Sequence, residues 1–249
     1  MIGALIQARL GSKRLPNKIL KKADNKILLD IMINRLRNSK KIDKIIICTT
    51  TNRKDDKIVK FCKEKKISFY RGSENNVMLR YINAAKKYKV DTIVRLTSDC
   101  PLIDPVIVDK VIASFFKYKT DYLSNTCPPN KSTFPDGTDV EIFKLKTLIA
   151  INKTEKRKSY REHVTHNYWK EKKYKSSLYR TGTNLSNFRY TLDYKDDYIV
   201  LKKIVENFKS KIFDVDTREI VTFLKKNKKI YSINSHCKNK SFWNKNDKI

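Results

Sequence analysis

The chain has 249 residues, 40% of them hydrophobic, which allows one sizeable core and is too apolar for general disorder. No run of about 18 apolar residues occurs, so no membrane-spanning helix is expected. The formal charge of +30 implies attraction for polyanions, but Lys outnumbers Arg about three to one and residues such as Lys57, Lys60 and Lys63 fall on polar helix faces. Small polyanions such as a nucleoside triphosphate are therefore expected in preference to nucleic acid.

Ile2 to Ala8 is a short apolar run, read as a buried strand. A basic loop follows, then a helix over 27–36 with Ile27, Leu28, Ile31 and Leu36 on one face. Residues 45–48 form a β-branched strand, 54–65 a helix, 67–70 a strand and 77–88 a helix. A strand over 91–96 ends at a polar turn, and Pro105 opens a helix to about Tyr118. Strands alternating with helices of this length predict a parallel, doubly wound α/β sheet of Rossmann type.

Beyond residue 120 the pattern loosens. Residues 125–135 read as a loop, 139–143 as a strand, 145–153 and 160–170 as helices, 176–179 and 188–192 as strands, then 196–208 and 217–224 as helices. One domain over 1–249 is expected, with a nucleotide-binding half to about 120, an acceptor half to about 225 and a basic, partly mobile tail over 226–249. The first residues, MIGALIQARLGSKRLP, lack a charged leader segment and a cleavage site, and five scattered cysteines fit reduced thiols; a cytoplasmic location is expected.

Four segments carry chemistry. The loop QARLGSKRLPNK holds four cations (Arg9, Lys13, Arg14, Lys18) and no acid, and leaves the carboxyl end of the first strand, where open α/β sheets bind ligands. Gly11 and Ser12 permit a tight turn whose amides can face an anion. In RLTSDCPLIDP, Asp99 lies just past a strand end, and one carboxylate beside a phosphate loop is the least a magnesium site needs. Asp104, before Pro105, reads as a helix cap. In FRYTLDYKDD, Asp193 is placed to meet Asp99, whereas Asp196 and Asp197 decorate a first helical turn. In FPDGTDVEIF, Asp136-Gly137 is a turn, and Asp139 and Glu141 share one side of a strand, to bind hydroxyls or simply to face solvent. His163 and His166 form HxxH within a predicted helix, without the further ligands zinc requires.

Taken in order from Ile6 to about Phe208, these motifs, with FYRGSENNVMLRY and REHVT, resemble the spore-coat-polysaccharide-type cytidylyltransferases. That family belongs with the 3-deoxy-manno-octulosonate and N-acylneuraminate cytidylyltransferases. The resemblance implies a fold of the nucleotide-diphospho-sugar transferase type, CTP and a small sugar-type acceptor as substrates, magnesium (or manganese) as cofactor, and a homodimer. It places Ala8, Arg9, Gly11, Ser12, Arg14, Lys18 and Arg71 on the nucleotide, with Arg14, Lys18 and Asp99 catalytic. It assigns Asp99 and Asp193 to the metal, and Asp136, Asp139, Glu141, Arg161 and His163 to the acceptor. Three positions depart from the family pattern: Asn17 and Ser98 where glycine is usual, and Asn76 where aspartate is. A glycosyltransferase on a related fold is the competing enzyme reading, disfavoured by the cationic loop; a basic nucleic-acid-binding protein is the other class.

Overall fold

The computed structural model describes residues 1–240. Its first half runs β1 (Ile2–Gln7), β2 (Lys22–Ala23), β3 (Lys26–Ile27), α1 (Leu28–Leu36), β4 (Lys44–Thr50), α2 (Asp56–Glu64), β5 (Ser68–Gly72), α3 (Val77–Lys87), β6 (Thr92–Thr97) and α4 (Pro105–Tyr118). The second half contributes β7 (Tyr122–Ser124), β8 (Glu141–Lys144), α5 (Leu145–Thr154), α6 (Lys158–His163), α7 (His166–Lys170), β9 (Ser176–Leu178), α8 (Lys195–Phe208), α9 (Thr217–Lys226) and α10 (Lys228–Ser232).

Seven strands form one sheet in the order β5-β4-β1-β6-β8-β7-β9. The sheet is not wholly parallel as the alternation predicts: β8 runs antiparallel to both β6 and β7. Alternation along β1 sorts the core onto two faces. Ala4 and Ile6 pack with α1, α2 and α4, while Leu5 packs with α3, α5 and α7. A third cluster joins α8 and α9 to Leu15, Leu102, Tyr190 and Leu192, closing the layer beneath the basic loop.

Local signals explain most boundaries. Asp104 caps α4, accepting from the amides of Val106 at 2.9 Å and Ile107 at 3.3 Å, ahead of Pro105. Asp216 and Glu219 form a capping box on α9. Asn76 caps α3 by accepting from the Leu79 amide, so the missing aspartate charge leaves the capping bond intact. The β2–β3 hairpin escapes a sequence reading because it is so short; its turn residues Asp24 and Asn25 both have positive φ, 47° and 59°, as a type I′ turn requires.

Three expectations need correction. Residues 188–192 form no strand, because their backbone bonds go to loops: Tyr190 N donates to Asp136 O and Leu192 N to Asp99 O. The strand expected at 139 begins at Glu141. The helix over 160–170 is broken at Val164, whose φ is 61°, leaving His163 on α6 and His166 on α7. Of the basic tail over 226–249, α10 and a following 3-10 turn fall within residues 228–240, and 241–249 lie outside the described residues.

Candidate active site

In this sheet β1 pairs with β4 on one side and β6 on the other, so the chain order reverses at β1 and opens a crevice at the strands' carboxyl ends. Gln7 and Thr97 are register partners, and the Ser98 amide donates to Gln7 O at 3.0 Å. The basic loop and Asp99 therefore leave the sheet side by side. The Leu10 amide donates to buried Asp55 Oδ1 at 2.7 Å, and Ser12 Oγ accepts from the Leu15 amide at 3.3 Å. Asn17 takes a left-handed φ of 54°, the conformation for which a glycine would be usual, and turns the chain so that Lys18 points back inward. The resulting cleft, about 460 Å³, is lined by Gln7, Arg9, Gly11, Ser12, Lys13, Arg14 and Lys18 on the loop side, facing Glu74, Thr97, Ser98, Asp99 and Asp193.

Asp99 and Asp193, 94 residues apart in sequence, meet because backbone bonds stitch their segments together. Asp99 O accepts from the Leu192 amide at 2.8 Å and from Thr191 Oγ1 at 3.1 Å. The amides of Asp193 and Tyr194 both donate to Asp197 Oδ2 at 3.0 Å, fixing the turn into α8. Gly137, with φ 109°, allows the neighbouring loop to press against this segment; a Cβ there would lie 2.6 Å from the Thr191 nitrogen.

Both carboxylates bind one ammonium. Lys18 Nζ donates to Asp99 Oδ2 at 3.0 Å and to Asp193 Oδ1 at 2.9 Å, with 11% of its side chain exposed. Burial works to lower the Lys18 pKa, but Asp99 and Asp193 outweigh it and the net shift is upward. Burial likewise pushes Asp99 up, and Lys18 with the Thr97 hydroxyl pulls it below the usual carboxylate range. Arg14 Nη2 lies 2.9 Å from Asp193 Oδ1, and its guanidinium stands 4.8 Å from the centroid of the Tyr194 ring.

Arg189 is the group that sequence reasoning missed. Nearly fully buried, it forks onto Asp197 at 2.8 and 2.7 Å, pairs with Asp136 and lies 3.8 Å from Asp193. It is the common counter-ion of three aspartates, and its placement beside Asp193 in FRYTLD was the only signal of it. Asp136, with 39% of its side chain exposed, is raised to about 7 by loss of hydration first, against Arg189, and by Asp139, Asp193 and Asp197. Asp139 is also raised, by burial first, and takes a hydrogen bond from Cys100 Sγ at 3.3 Å.

The remaining expected residues lie elsewhere. Ala8 is buried beneath the loop, its amide donating to Cys48 O. Arg71 does not line the cleft: it donates to the carbonyls of Thr50 at 2.9 Å and Asn52 at 3.0 Å and pairs with Asp56, splinting the β4–α2 connection. Glu141 is not a solvent-facing strand residue. Its carboxylate is buried, accepting from Arg95, from Tyr122 Oη at 2.6 Å and from Thr165 Oγ1 at 2.6 Å. Arg161 donates to Glu155 O at 2.9 Å, and the ring of His163 stacks on His166 with centroids 4.6 Å apart. These two belong to the α6–α7 corner behind β8, and neither lines the cleft.

Known proteins resemble this chain in sequence and in fold. The spore coat polysaccharide biosynthesis protein SpsF of Bacillus subtilis is 32% identical over 238 residues, covering 90% of this chain and 93% of SpsF. The structure of a cytidylyltransferase from Leptospira borgpetersenii serovar Hardjo-bovis superposes with a TM-score of 0.87 at 35% identity, over 92% of this chain and 96% of that one. A CMP:2-keto-3-deoxy-manno-octonic acid synthetase solved with CTP shares the fold, with a TM-score of 0.60 at 12% identity over 83% of this chain and 98% of its own. The family model described as cytidylyltransferase matches residues 3–246, a span that takes in the cationic loop, Asp99 and Asp193 alike, and the chain belongs to the cytidylyltransferase family.

Proposed function

We propose that this cytidylyltransferase moves CMP from CTP to a sugar-type acceptor, a sugar acid or a phosphorylated small molecule, in surface-polysaccharide synthesis. The observation that carries the reading is the cationic loop facing a converging carboxylate pair across one cleft. An acceptor oxygen attacks the α-phosphorus, the new P–O bond forms as the bond to the bridging oxygen breaks, and pyrophosphate leaves with both electrons. Positioning and charge neutralisation supply most of the rate in such a transfer.

Arg9, Lys13 and Arg14 line the cleft as triphosphate contacts, Arg14 and Lys18 stabilising the leaving pyrophosphate. Asp99 and Asp193 would hold magnesium or manganese. The fit rests on the donor set: two hard carboxylate oxygens already converge on one cation, the Lys18 ammonium. When bound, the ion supplies charge that offsets the phosphates and lowers the acceptor hydroxyl's pKa. Asp136 and Asp139 do not line the cleft but stand close enough to Asp193 and Asp99 to feel their charge, and are assigned to the acceptor; Arg189 orients Asp136 and Asp193. Among the described residues no helix is long and apolar enough to cross a membrane. Work in the cytoplasm, as a homodimer, completes the reading.

The test is pyrophosphate release with CTP, magnesium and a panel of sugar acids and sugar phosphates, with the product identified by mass as the CMP conjugate. CTP should exceed each of the other three triphosphates by at least about tenfold, or about 1.4 kcal/mol. Equal use of another triphosphate, or consumption of a nucleotide-sugar without pyrophosphate release, sinks the proposal.

A further inference from the structure

A second cluster of ligating groups lies outside the cleft, where the C-terminal segment folds back on the start of α8. Asp196 stands in the first turn of α8, and His236 and Cys237 follow α10 in a 3-10 turn. Their ligand atoms all lie within 4.8 Å of one another. His236 Nε2 is 3.3 Å from Asp196 Oδ2 and 3.5 Å from Cys237 Sγ. We infer that Asp196, His236 and Cys237 bind a zinc ion, in a site separate from the nucleotide cleft.

Both distances from His236 fit the ion, and the third separation lies within 4.8 Å. Zinc bonds of about 2.0–2.1 Å to nitrogen and oxygen and about 2.3 Å to sulfur, arranged tetrahedrally, put neighbouring ligand atoms about 3.3–3.6 Å apart. The chemistry fits as well. One imidazole nitrogen faces both a carboxylate oxygen and a sulfur, the arrangement three ligands take around an ion at their common centre. Thiolate with imidazole selects a thiophilic metal, so this site discriminates against magnesium, which the oxygen pair of the cleft suits.

The scaffold is built to hold the ligands in place. Asn234, buried just before them, donates to Asp197 Oδ1 at 2.8 Å and to Arg189 O at 3.3 Å, and Cys237 N donates to Asn234 O at 2.9 Å. Cys237 is buried at the floor, while Asp196 and His236 are partly exposed, which leaves the outer face for a water as fourth ligand. The bound ion would fasten residues 234–237 to the turn that carries Asp193.

The test uses the full chain, stripped with chelator and kept in excess magnesium, and titrated with Co2+ as a spectroscopic probe. One Co2+ per chain should bind with thiolate-to-cobalt absorption in the near ultraviolet, and Zn2+ should displace it. Cys237→Ala should abolish that absorption while CTP turnover with magnesium persists. Should that buried substitution prevent folding, His236→Ala, at an exposed position, should weaken Co2+ binding by about tenfold or more. Zn2+ should raise the melting temperature of the wild type and not that of His236→Ala. Absence of thiolate absorption in the wild type, or its survival in Cys237→Ala, overturns the assignment; undiminished Co2+ affinity in His236→Ala does so too.

Discussion

Replacing Lys18 by methionine separates two roles that one ammonium fills. Its nitrogen sits 3.0 and 2.9 Å from the two carboxylates. At that distance, and an effective dielectric of about 20, each attraction is about 5.5 kcal/mol before the cost of dehydrating the ammonium is subtracted. A metal arriving without nucleotide must displace this internal counter-ion, whereas with CTP bound the phosphates give Lys18 a second place to go. Lys18→Met keeps the stem and removes the charge. Binding of Mn2+ alone, followed by electron paramagnetic resonance of the free ion, should therefore tighten by about tenfold, a net gain of about 1.4 kcal/mol after dehydration is counted. Turnover should fall by roughly 100-fold, since a contact to the leaving pyrophosphate is lost. The two effects run in opposite directions, which simple damage to the fold does not produce. Unchanged or weaker Mn2+ binding in Lys18→Met would refute the reasoning.

Asp99→Asn and Asp193→Asn should each cut turnover by about 100-fold or more, and EDTA should abolish wild-type activity until magnesium or manganese is restored; steady-state pyrophosphate release reads both. Arg189→Leu leaves Asp136, Asp193 and Asp197 without their shared cation, so urea denaturation should show a loss of about 3–5 kcal/mol along with loss of turnover. His166 is lowered to about 3, by burial first and then by His163 and nearby cations. The folded state thus disfavours its protonation: the stability this adds is full above the unfolded value of about 6.5 and is lost as pH falls from there toward 3. Thermal melts of His166→Gln should show a shallower decline than wild type between pH 6.5 and 4.

The sequence by itself determined the alternation of strands and helices through α4, because apolar periodicity and caps such as Asp104-Pro105 are local. It also determined the cationic loop, whose four cations crowd one short acid-free stretch at a strand end, and it offered at Asn17 a residue type able to take the left-handed turn found there. Tertiary structure decided what distant segments do together. Residues 188–192 look like a strand, yet their backbone partners are Asp99 and Asp136, and those bonds bring Asp193 to Asp99. Glu141 alternates with Asp139 as a solvent-facing pair would, but antiparallel pairing of β8 with β6 sets it opposite Arg95 inside the core. Arg189 carries no local pattern, since its importance comes from three carboxylates contributed by two separate segments. The meeting of Asp196 with His236 and Cys237 across 40 residues is likewise invisible to spacing rules, which recognise ligands only where the chain places them close in sequence. Side-chain periodicity reports which face of an element is apolar; which charges come to share that face depends on long-range register, and only the packed fold settles it.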